Sequence, residues 1–133
     1  MKYVKVKVVC YDLNEKKNNK TFLVDAESFA EAEEKVYKTV SADKTALEVN
    51  VRSMGIVQFS ECKLTQNGDD FFKVTLCIMS VDENTGRQKK TKYTMLVECY
   101  DAKDVNLVVE QVMSMEVYDI LKIEKLNVED VIS

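Results

Sequence analysis

Tyr3-Val4-Lys5 and Phe71-Phe72-Lys73 each set a lysine two residues after an aromatic ring, inside a run that alternates. Residues two apart on a strand share a face. A ring beside a cation on an open sheet face is the chemistry of single-stranded nucleic-acid binders: rings stack bases and cations track phosphates. The first outward set is Tyr3, Lys5, Lys7, Val9 and Tyr11; the second is Phe71, Lys73, Thr75, Cys77 and Met79. Two lysine-rich stretches adjoin them. Residues 14–20 hold Lys16, Lys17 and Lys20, and residues 82–92 hold Arg87, Lys89, Lys90 and Lys92. Local patches rather than net charge make phosphate contacts. The net charge of −4 nonetheless argues against tight, general DNA binding. Two plainer readings stand beside this one. The rings and lysines are ordinary solvated strand residues with edge-protecting turns, or the face packs on another subunit.

Other chemistry finds little support. The chain has no His, which removes the commonest general base, the commonest zinc ligand and any Ser-His or Cys-His pair. Glycine stands only at 55, 68 and 86, too sparse for a phosphate loop. Cys10, Cys62, Cys77 and Cys99 form no Cys-x-x-Cys pair and read as small apolar fillers in a reducing compartment. Glu27, Glu31, Glu33, Glu34, Asp101, Asp104, Glu110 and Glu116 read as solvated helix faces rather than acid/base or metal groups. No catalytic residue, metal or cofactor is therefore expected. No apolar run reaches the roughly 18–20 residues of a membrane span. The opening MKYVKVKVVCYD lacks the apolar stretch of a signal peptide. A cytoplasmic protein without a membrane partner is expected.

The elements that must position these residues repeat. FLVDAESFAEAEEKV (22–36) aligns with MLVECYDAKDVNLVV (95–109), setting Leu23 on Leu96, Val24 on Val97 and Ser28 on Asp101. Ser28 and Glu31 form a capping box, and Asp101 is an equally good N-cap. Two helices follow, with apolar stripes Phe29, Ala32, Val36, Val40 and Val105, Val108, Val109, Val112. Upstream, Val4, Val6, Val8 and Cys10 match Phe72, Val74, Leu76 and Ile78. Downstream, Val49, Val51 and Met54 match Leu121, Ile123 and Leu126, with Gly55 and Asn127 as candidate bend positions. Asn67-Gly68 reads as a hairpin turn joining the copies.

The predicted fold is α+β: a tandem duplication of a strand-strand-helix-strand unit in one domain, residues 1–133, with internal repeats 2–65 and 70–132. The copies are expected to pair through strands 57–65 and 71–80, forming one antiparallel sheet with both helices on one face and pseudo-two-fold symmetry. VDENTGRQKKTKYTMLV, LVDAESFAEAE and NGDDFFKV together resemble a family of small proteins from gut bacteria and their phages, catalogued as a domain of unknown function. The resemblance covers nearly the whole chain. It implies a cytoplasmic or phage-encoded accessory role and carries no active-site residue.

The leading expectation is a non-enzymatic binding module for single-stranded nucleic acid. Its platform is Tyr3, Lys5, Lys7, Phe71 and Lys73, with hairpin contacts from Lys16, Lys17, Lys20, Arg87, Lys89, Lys90 and Lys92. The rival is a protein–protein adaptor or inhibitor whose sheet face or edge strand forms a homo-oligomer or captures a host protein. Met79, Met95, Met113 and Met115 suit an adaptable interface. A third reading is a pocket for a small anionic ligand.

Overall fold

The computed structural model describes residues 1–41, 46–65 and 70–133. Asn67 and Gly68, read above as a hairpin turn, lie outside the described residues. In chain order the elements are β1 (Lys2–Asp12), β2 (Lys17–Val24), α1 (Phe29–Ser41), β3 (Ala46–Gln58), β4 (Glu61–Lys63), β5 (Asp70–Val81), β6 (Gln88–Cys99), α2 (Ala102–Val112), β7 (Val117–Leu126) and β8 (Asp130–Ile132).

These elements group into two compact units. One comprises Lys2–Gln58 with Asn127–Ser133, the other Met1 with Phe59–Leu126. The first unit holds a four-stranded sheet of order β3-β1-β2-β8, the second a sheet of order β4-β6-β5-β7. The class is α+β, but the expected single sheet is corrected to two. The expected pairing of strands 57–65 and 71–80 is absent because both edges of β5 are taken, by β6 and by β7. Glu61–Lys63 runs instead beside β6, and parallel to it. β8 likewise runs parallel to β2. Neither sheet is therefore wholly antiparallel.

Each helix begins where a side chain takes over an orphaned backbone donor. Ser28 Oγ accepts the Glu31 N–H at 3.1 Å, and Glu31 Oε2 accepts the Glu27 N–H at 3.0 Å. That second bond, helped by the Lys35 ammonium at 3.3 Å, holds the Glu31 carboxyl below its ordinary range. Asp101 caps α2 by accepting the Lys103 N–H at 2.7 Å. From these starts Ala32, Val36 and Val40 reach the first core, against Val4, Val6, Val8, Phe22 and Val24. Val105 and Val109 reach the second, against Phe72, Val74, Leu76, Met95 and Val97. Each of these valines removed from water contributes about 1.5–3 kcal/mol. Phe29, expected in the first stripe, is 45% exposed.

Both long outer strands carry a bulge. The β1–β3 register shifts between Lys7 and Val8 and leaves Arg52 unpaired. The β5–β7 register shifts between Thr75 and Leu76 and leaves Leu121 unpaired. The bend positions expected at Gly55 and Asn127 are thus corrected. Gly55 pairs regularly with Lys5, and Asn127 falls just past the end of β7. The β1–β2 turn places Glu15 at φ 61, and the β5–β6 turn places Gly86 at φ 68.

Candidate functional site

Antiparallel partners share a face, so the registers sort the candidate residues. On β1 the helix-side residues are Val4, Val6, Val8 and Cys10, all in the first core. The other face of that sheet carries Tyr3, Lys5, Lys7, Val9 and Tyr11. Across from Lys5 stand Leu23 and Gly55, and across from Lys7 stand Thr21 and Ser53. Across from Tyr11 stand Lys17 and Glu48.

Lys5, Lys7 and Lys17 are exposed on this face, and among the described residues none of the three makes an ion pair. Gly55 adds no side chain beside Lys5, and nothing stands within 4 Å of where its Cβ would be. Arg52, at the bulge, is exposed as well. The rings behave differently from expectation. Tyr3 is 7% exposed and Phe71 is 6% exposed, so neither offers a face to a base. Val9 and Leu23 are buried on the same side as Tyr3. A large ring left in water forfeits the free energy of burial, and these two rings are removed from it. The ring left partly open on the first sheet is Tyr11. It borders a recess of about 420 Å³ with Asp12, Glu15 and Glu48.

The second sheet distributes its charge otherwise. Its non-helical face carries Phe71, Lys73, Thr75, Cys77 and Met79 from β5, with Lys90 and Lys92 from β6. β7 adds Lys122, Glu124 and Asp119 to that face. Lys122 Nζ lies 2.9 Å from Glu124 Oε1. The Glu124 carboxyl is held below its ordinary range, by Lys122 first and also by Lys73. Lys122 and Lys73 therefore act on Glu124, whereas Lys90 and Lys92 are exposed and make no ion pair among the described residues. The registers place Lys20 opposite Val8 and Lys89 opposite Ser80, on the helix-side faces. Lys16 and Arg87 belong to the turns. The expected residues therefore divide between two sheets, and no single face carries them all.

The remaining candidates are structural. Tyr93 Oη donates to Glu61 Oε2 at 2.7 Å, tying β4 to β6. Burial first, then that carboxylate, pushes the Tyr93 hydroxyl up to about 12. Burial, with Asp104 and Asp101 nearby, raises the Cys99 thiol, the opposite of a reactive cysteine. Among the described residues no cluster of three or more Cys, Asp or Glu is placed to hold a metal ion. A recess of about 560 Å³ beside α1 is bordered by Glu33, Glu34, Tyr37, Lys38, Ser41 and Val49, and the Ser41 hydroxyl donates to the Lys38 carbonyl at 3.2 Å. No described helix is long and apolar enough to cross a membrane.

The profile of a domain of unknown function, DUF4494, covers residues 1–133, and the chain belongs to that family. No curated protein and no solved structure matches it.

Proposed function

We propose that this chain is a non-enzymatic binding module that takes single-stranded nucleic acid on the non-helical face of its first sheet. The observation that carries the reading is the row Lys5, Lys7 and Lys17: three exposed ammonium groups on one face, without ion pairs among the described residues. Unpaired cations in a row suit a phosphate backbone, because binding releases condensed counterions from the strand. Tyr11 supplies the ring at the hairpin end, in place of the buried Tyr3. Glu48 beside it suits the N–H edge of a base, while phosphates stay with Lys5 and Lys7. Weak, sequence-tolerant binding follows from so small a set of contacts. The two strand orders also support reading the chain as a tandem duplication.

Fluorescence anisotropy with a labelled single-stranded oligonucleotide tests the reading. Three phosphate contacts give a slope of about −2 for log K against log salt. Lys5→Glu with Lys7→Glu removes most of the binding, whereas Lys73→Glu leaves it nearly intact. No binding at low ionic strength overturns the reading, and so does binding indifferent to Lys5 and Lys7.

A further inference from the structure

β7 closes one side of the second sheet, and its other edge has no strand partner among the described residues. That edge is open to water: Val117 is 67% exposed, Leu121 62% and Ile123 36%. Proteins usually blunt such an edge with charge or a bulge, because unpaired N–H and C=O groups are a template for another strand. β7 has both devices, and their arrangement is self-complementary.

The bulge is the key. Tyr118 and Ile120 pair with Ile78 and Leu76 on the helix side, and Val117 and Asp119 pair with Met79 and Cys77 on the other. Past unpaired Leu121 the parity changes. Ile123 and Lys125 now take the helix side, and Lys122 and Glu124 the opposite side. Two copies related by a two-fold axis pair antiparallel with like faces together. With this change of parity, the segment before the bulge can meet the segment after it with like faces together. One such register sets Asp119 against the second copy's Lys122, Tyr118 against its Ile123, Ile120 against its Leu121 and Val117 against its Glu124. Continued past the strand end, it sets Glu116 against the second copy's Lys125. Each contact occurs twice. Sliding two residues one way puts Asp119 against Glu124, a like-charge pair; sliding the other way puts Asp119 against Ile120, which lies on the opposite face. Lys122 and Lys125 already approach Glu124 and Asp70, at 2.9 and 3.5 Å. Both lysines are about two-thirds exposed, so their ammonium groups remain accessible to a second carboxylate.

We propose that the β7 edge is a self-association surface, on which a second copy of this chain pairs antiparallel with Asp119 opposite Lys122. Sedimentation velocity across a wide concentration range reads it. The wild-type chain shows a concentration-dependent dimer. Asp119→Lys and Lys122→Glu each turn two attractive pairs into two repulsive ones and weaken it by roughly tenfold or more. An equimolar mixture of the two variants dimerises again, because each new charge then meets its complement. Circular dichroism of each variant confirms that it is folded. A wild-type chain that stays monomeric throughout overturns the proposal. A dimer unaffected by either variant, or a mixture of folded variants that stays monomeric, overturns it equally.

Discussion

Replacing Tyr93 by Phe removes one hydroxyl and leaves the ring. The hydroxyl donates to Glu61 Oε2 at 2.7 Å and is a side-chain tie between β6 and the three-residue β4. A hydrogen bond to a charged group contributes about 1.5–3 kcal/mol, less where the abandoned carboxylate can return to water. Glu61 is only half-buried, so about 1 kcal/mol is expected at neutral pH. The alkaline limb distinguishes this bond from ring packing. In the folded chain the Tyr93 hydroxyl titrates at about 12, against 10.0 for an ordinary tyrosine. The folded state thus keeps a proton that the unfolded state gives up first. The contribution is complete below the ordinary value and is lost as pH climbs through about 12. Urea unfolding followed by circular dichroism, at neutral pH and then stepwise through that window, supplies both numbers. Tyr93→Phe is the less stable chain at neutral pH, and the gap closes as the medium becomes alkaline. Equal midpoints at neutral pH, or a gap that does not narrow, would refute the assignment.

Two turn positions carry opposite expectations. Glu15 sits at φ 61, where a Cβ costs roughly 1 kcal/mol, so Glu15→Gly raises the urea midpoint. Gly86 at φ 68 has open space around it, so Gly86→Ala is penalised by backbone strain alone, again about 1 kcal/mol. Leu76 is fully buried in the second core, and Leu76→Ala lowers stability by about 2–5 kcal/mol in the same unfolding assay.

What the sequence made legible was local. Ser28, Glu31 and Asp101 act on donors a few residues away, so their types and spacing were enough to set both helix starts. Alternation identified β1 and β5 because Val4, Val6 and Val8, then Phe72, Val74 and Leu76, all face a helix. β4 gave no signal. Glu-Cys-Lys is too short to show a period, and its partner Met95–Val97 lies far along the chain. The parallel edges and the division into two sheets follow from such distant pairings, which no local pattern records.

The candidate site was legible to the same degree and for the same reason. A period of two says that Tyr3, Lys5 and Lys7 share a face; it does not say which part of that face meets water. The lysines cannot be buried unpaired without a large desolvation cost, so their exposure was predictable from their type. An aromatic ring is tolerated on either side of the boundary, and Tyr3 and Phe71 went inside. The same limit hid the different surroundings of Lys5 and Lys73. Lys73 resembles Lys5 in its own strand, but the carboxylates matched to its face, Glu124 and Asp119, arrive on β7 from a remote part of the chain. The free edge of β7 depends on a subtler feature still. A single unpaired residue, Leu121, reverses the parity of everything after it. That reversal is what allows Asp119 and Lys122 to share a face, although their spacing in an unbroken strand would put them on opposite sides.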